Sequence, residues 1–198
     1  MEFNRNNKND EEDNKEEDQE TKIYRENNHI YFYTEIDRNS ISKLNILLRE
    51  AEEYCIITGL RLRLNTIPIY LHIYSNGGYI NAAFSAIDVI NSSKVPVYSV
   101  IEGATASAGT LISIICKKRF IRPMAYMLIH QLSGEVWGKM SEIKDEYKNY
   151  VGLMDKIKNI YSEYSSLTNK KLENLLNHDL WLNAKKCIKY GLVDELYN

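Results

Sequence analysis

The chain has 198 residues, 44% hydrophobic and 26% charged, with a net charge of −2. This fits one globular domain of ordinary size and supplies no global basic field to recruit nucleic acid. No apolar run approaches a bilayer span. The N-terminus, Met1-Glu2-Phe3-Asn4-Arg5 turning acidic, has the wrong chemistry for a secretory or organelle-targeting peptide.

Charge is unevenly spread. Residues 1–25 hold nine acids and five bases, whereas the remainder carries a net charge of +2. The run from Asp10 to Glu20 contains no apolar side chain. It cannot bury surface to offset its ordering entropy, which predicts an acidic disordered tail over 1–25. An acidic lure for a basic partner is the alternative. The folded domain is then 26–198, beginning near Ile23 to His29.

His29 to Thr34, aromatic and β-branched, predicts a strand. Asp37 to Ser40 offers caps for a helix in which Ile41, Leu44, Leu47, Leu48 and Ala51 share one face. Ile67 to Tyr74 reads as a buried strand ending at Ser75-Asn76-Gly77-Gly78, and Ile80 to Ile90 as the next helix. Val95 to Ile101 is a strand that Gly103 ends, and Ala104 to Cys116 a buried helix, small and apolar all round. Arg119-Phe120-Ile121 and Ala125 to Ile129 predict two short strands. Pro68, Pro96 and Pro123 each sit where a strand begins. Strand, helix, strand, helix, strand is the α/β signature.

Residues 139–165 differ in kind. Ile143, Tyr147, Tyr150, Met154, Ile157, Tyr161 and Tyr164 alternate four and three apart, which predicts one long helix with a continuous apolar seam. Such a helix projects or docks on another subunit. A short helix over Lys171 to Leu176 follows. The last runs from an Asn183 cap to Tyr190, stopped by Gly191.

Cys55, Cys116 and Cys187 form an odd, widely spaced set with no CxxC pair. They read as buried free thiols in a reducing, cytoplasmic setting rather than as a zinc site or disulfide framework. An organelle or viral origin stays open.

Of four histidines, His29 and His72 read as packed or surface residues. His130 ends the apolar strand Met127-Leu128-Ile129, where α/β sheets present functional side chains. His178 stands beside Asp179. Ser107, within Gly103-Ala104-Thr105-Ala106-Ser107-Ala108-Gly109, lies at a strand-to-helix turn, where free backbone N–H groups can stabilise an oxyanion. That motif alone fits a helix cap equally well. Ser75-Asn76-Gly77-Gly78 lets backbone approach a substrate, or is only a tight turn, and matches no phosphate-binding pattern. Together the Ser, the His and a later Asp form a parts list for acyl transfer.

Four segments resemble the ClpP family, the proteolytic subunit of the ATP-dependent Clp protease. Ile69 to Gly78 resembles its strand ending in Asn-Ser-Pro-Gly-Gly, and Gly103 to Gly109 its nucleophile turn. Arg119 to Gln131 resembles its Lys-Arg-Phe … Met-Ile-His-Gln segment. Asp179 to Asp194 resembles its closing stretch, through Ala184 and Tyr190-Gly191-Leu192-Val193-Asp194. The likeness covers roughly residues 28–196 of the chain.

The resemblance implies an α/β superhelix of the kind shared with crotonases, with 139–165 as a projecting handle helix. It implies Ser107 as nucleophile, His130 as general base and Asp179 as third member, with the backbone amides of Gly78 and Ala108 as oxyanion hole. No cofactor or metal is implied. The implied activity is a serine endopeptidase cleaving unfolded polypeptides inside homo-oligomeric stacked heptameric rings, with an AAA+ unfoldase ATPase as possible partner. There are departures. Asn76 and Leu132 replace family prolines, Asn177 and His178 replace an acidic residue and an arginine, and the N-terminal region matches poorly. The alternatives are a non-catalytic ring subunit or scaffold, a viral-type processing protease, and a crotonase-type acyl-CoA enzyme, for which the chain is short.

Overall fold

The computed structural model describes residues 22–198. Strands β1 (Lys22–Glu26), β2 (His29–Tyr33), β3 (Ile69–Ser75), β4 (Val97–Ala106) and β5 (Lys118–Ile121) build most of one eight-stranded sheet. Its main order is β1-β2-β3-β4-β5-β8, with β8 spanning Glu195–Leu196. The β1–β2 pair is antiparallel, and the other pairs along this path are parallel. β6 (Tyr126–Leu128) pairs with the second half of β4, and β7 (Leu182–Asn183) pairs antiparallel with β6.

The parallel strands follow from their crossovers. Helix α1 (Arg38–Leu62) joins β2 to β3, and α2 (Ile80–Ser92) joins β3 to β4. Asp37 caps α1 by accepting from Ser40 N–H at 2.7 Å, and Ser40 Oγ accepts from Asp37 N–H in return. Leu44, Leu48, Ala51 and Cys55 of α1 are buried with Ala83, Ala86 and Ile90 of α2. The alternation of β2 buries Ile30 and Phe32 in that core and turns His29, Tyr31 and Tyr33 to the other face.

Three local differences from the sequence reading have physical causes. Residues 22–25, assigned to the acidic tail, belong to β1. Ile23 is buried and Tyr24 stacks on Tyr31 with ring centres 4.7 Å apart, so apolar contact outweighs local charge. The rest of the tail lies outside the described residues. Gly103 does not end β4. It takes a φ of 57° and passes the strand around the Tyr74 ring, so that β4 runs on to Ala106. The buried helix expected over 104–116 is therefore only α3, Ala108–Ile114.

The long helix α4 spans Met140–Tyr164. Only Ile157 and Tyr161 of it are buried, whereas Ile143, Tyr147 and Val151 are exposed. Its C-terminal half packs on the domain and its N-terminal half stands clear. Helices α5 (Asn169–Leu176) and α6 (Ala184–Lys189) close the fold, capped by Thr168 and Asn183. Arg119 ties this end to the sheet. It pairs with Asp194 and donates to the carbonyls of Tyr164 and Gly191. Burial would raise the Asp194 carboxyl, but bonds from Arg119 outweigh it and hold the group below its ordinary value.

Candidate active site

Ser107 stands where β4 hands over to α3, with φ 53° and ψ −128°. A non-glycine residue in this region stores about 1–3 kcal/mol of strain, which the surroundings must hold. They do so on both sides. Ser107 N–H donates to Leu128 O at 2.9 Å, and its carbonyl accepts from Thr110 N–H at 2.9 Å. The turn requires glycine next to it. A Cβ on Gly77, at φ 97°, would lie 2.7 Å from Ser107 Cβ.

The Gly77-Gly78 turn is pinned to the chain before α1. Ile36 N–H donates to Gly77 O, and Tyr79 N–H donates to Ile36 O, both at 2.7 Å. This parallel bridge uses the neighbours of Gly78 and leaves the Gly78 amide directed away from Ile36. The Ala108 amide opens α3, where an N–H has no partner within the helix.

Gly78, Ser107, Ala108 and His130 line one cavity of about 60 Å³, with Leu111, Ile157 and Tyr161 on its apolar side. The structure thus brings together four of the five residues singled out from the sequence. His130 follows β6, and the next residue anchors the segment, Gln131 N–H donating to Leu176 O at 2.8 Å. Among the described residues no hydrogen bond joins Ser107 Oγ to His130. Asp179 is outside the cavity lining. Its Oδ1 lies 3.9 Å from His130 Nδ1, and its side chain is 81% exposed. His178 caps a turn, its N–H donating to Leu175 O.

The other two histidines form a second polar cluster on the sheet face that carries Tyr31. His72, 2% exposed, bonds Glu102 through Nδ1 at 3.0 Å and His29 through Nε2 at 2.9 Å. Tyr33 and Arg122 also donate to Glu102. Burial holds His72 below its ordinary value despite Glu102. Burial would raise Glu102, but its donors prevail and hold it low. The three cysteines are buried free thiols, pushed up by burial to about 11 for Cys55 and about 12 for Cys116 and Cys187. Buried, protonated thiols of this kind are poor nucleophiles. Among the described residues no helix is long and apolar enough to cross a membrane.

Comparison with known proteins agrees with this architecture. The model of the Clp protease family matches residues 13–198. The chain is 35% identical over 133 residues to the ATP-dependent Clp protease proteolytic subunit 2 of Treponema denticola, covering 66% of each chain. It is 35% identical over 136 residues to the ATP-dependent Clp protease proteolytic subunit of Streptococcus mutans, covering 67% of this chain and 69% of that one. The alignments therefore span about two thirds of these relatives' length. A ClpP1 point mutant from Listeria monocytogenes has a similar structure, with a TM-score of 0.74 at 26% identity over 87% of this chain and 92% of the other. The chain belongs to the Clp protease family.

Proposed function

We propose that the protein is a serine endopeptidase that cleaves unfolded polypeptides through an acyl-enzyme. The observation that carries this reading is the grouping of Ser107, His130 and the Gly78 and Ala108 amides around one cavity, in a fold whose family is that of a protease.

In the proposed reaction His130 removes the Ser107 hydroxyl proton as Oγ attacks the peptide carbonyl. The Gly78 and Ala108 amides donate to the oxyanion of the tetrahedral intermediate. His130 then passes the proton to the leaving amine, and an ester joins Ser107 to the acyl part. Water, deprotonated by His130, hydrolyses that ester and restores the serine. Asp179 orients and stabilises the imidazole.

The relatives' names supply the rest of the proposal. They are proteolytic subunits of an ATP-dependent protease. This chain then acts in stacked rings, with α4 between them, and receives chains from an unfoldase ATPase. The exposed seam of α4 supports that assembly, since Ile143, Tyr147 and Val151 leave an apolar stripe on an outstanding helix. A reducing compartment suits the three buried thiols.

One observation favours a second reading. The 3.9 Å gap between Asp179 and His130 fits a ring subunit that has kept the parts of a triad without using them. Labelling with a fluorophosphonate and peptide mapping, on wild type and Ser107→Ala, separates the two. Adduct on Ser107 in a large assembly by light scattering is the expected result. A well-assembled ring without adduct overturns the protease reading in favour of the scaffold.

A further inference from the structure

Tyr161 lies in the apolar seam of α4, yet its hydroxyl has a polar partner. It is 1% exposed, and its oxygen lies 2.5 Å from Thr110 Oγ1 on α3. Thr110 Oγ1 in turn lies 2.7 Å from the Ser107 carbonyl oxygen. The direction of the chain follows from valence. A carbonyl only accepts, and the threonine hydroxyl has one proton, which it gives to Ser107 O. Thr110 then accepts, so Tyr161 donates. Burial pushes the phenol above its ordinary value, so it keeps its proton throughout the working pH range.

Two donors from one residue therefore hold the Ser107 carbonyl, Thr110 N–H and Thr110 Oγ1–H. That carbonyl shares a planar trans peptide unit with the Ala108 N–H, and the two point in opposite directions. Fixing the carbonyl fixes the direction of the amide. Ala108 lines the cavity beside Ser107. The hydroxyl that donates to Thr110 comes from α4, the helix whose other half stands clear of the domain.

We propose that Tyr161 is a positioning residue, which through Thr110 aims the Ala108 amide at the reacting carbonyl and couples the seating of α4 to the oxyanion hole. The inference rests on the serine-endopeptidase reading above. It assigns the Tyr161 hydroxyl a role separate from its ring, which fills the core.

The test uses the full chain in its assembled state, with a fluorogenic peptide as substrate and a peptide boronic acid as tetrahedral mimic. Tyr161→Phe and Thr110→Val each remove a hydroxyl and keep the shape. Each is expected to lower kcat roughly tenfold or more, to leave KM within about twofold, and to weaken the boronic acid by the same factor as kcat. Thr110→Ser keeps the relay and should stay within about threefold of wild type. The double variant should be no worse than the weaker single, because the two groups act in series. Should Tyr161→Phe fail to fold, the Thr110→Val and Thr110→Ser pair decides alone. Wild-type kcat in Tyr161→Phe, a loss confined to KM, or unchanged boronic acid affinity overturns the inference while the protease reading stands. A wild-type chain that neither hydrolyses peptide nor labels at Ser107 overturns that reading and this inference with it.

Discussion

His130 Nδ1 and Asp179 Oδ1 stand 3.9 Å apart, within ion-pair range but beyond a hydrogen bond. The two come from different elements. His130 follows β6 and is braced by the Gln131 link to α5, whereas Asp179 sits in the short exposed segment between α5 and β7. A small movement of that segment would let the carboxylate accept from Nδ1–H and hold the imidazole tautomer that the proposed reaction needs. We expect Asp179→Ala to lower kcat on the order of 10³-fold or more, with assembly intact. Steady-state kinetics checks this, and a loss below tenfold would show that some other group orients His130.

Ser107 carries strain that glycine would not. At φ 53°, Ser107→Ala keeps the Cβ that makes the conformation costly, and Ser107→Gly removes it. Both variants lose the hydroxyl of the proposed nucleophile. Ser107→Gly should nevertheless be more stable than Ser107→Ala by about 1 kcal/mol, the relief of strain exceeding the added flexibility of the unfolded chain. Equal midpoints in urea would mean that the elbow is not strained.

The same elbow depends on Gly77. Gly77→Ala adds a Cβ 2.7 Å from Ser107 Cβ and 2.9 Å from Ala106 O, at a φ of 97°. Backbone must move at the point where the cavity is built. Destabilisation of about 2–4 kcal/mol is expected, together with loss of phosphonate labelling at Ser107. Chemical denaturation and labelling of one preparation measure both. Full labelling in a stable variant would count against the close approach.

Acid should weaken the fold through His72 before it reaches the carboxylates. Burial holds His72 and His29 below their ordinary value of 6.5, so the unfolded chain binds protons more readily there than the folded one. Stability is then fully present above about pH 6.5 and is lost as pH falls below it. Glu102 and Asp194, held low by their donors, add losses only below the ordinary carboxylate range. Tm should fall between pH 7 and 5.5. His72→Gln should lower Tm at pH 7.5, because Glu102 and His29 lose a partner, yet flatten the slope over that interval. An unchanged slope in His72→Gln would place the acid sensitivity elsewhere.

The candidate site is more legible in the sequence than its surroundings. Ser107 and the paired glycines 77 and 78 each sit at a strand end before a helix, a pattern that local residue types reveal. His130 stands out as a candidate because it closes an apolar strand. Less visible were features set by distant contact. β1 is masked by its acidic neighbours until Tyr24 meets Tyr31 across the hairpin. β7 and β8 are two residues each, too short to leave a pattern. Gly103 reads as a strand end because the bend it makes around Tyr74 depends on the neighbouring strand. In the seam of α4, Tyr161 looks like one more apolar position. Only the packing of α4 on α3 brings Thr110 to its hydroxyl.

That seam yields the last prediction. Tyr147 is 67% exposed on the outstanding half of α4, while Tyr161 is buried against α3 fourteen residues later on the same stripe. The two halves of one pattern thus meet different partners, the domain itself and, in the proposed assembly, another ring. A charge at Tyr147 would desolvate on docking without touching the core. Tyr147→Glu should therefore halve the mass seen by light scattering, from stacked to single rings, while the unfolding free energy of the separated rings stays within about 0.5 kcal/mol of wild type. An undiminished mass would place the inter-ring contact away from this stripe. A large loss of stability would instead mean that Tyr147 packs within its own subunit, and the stripe would then no longer be available for docking.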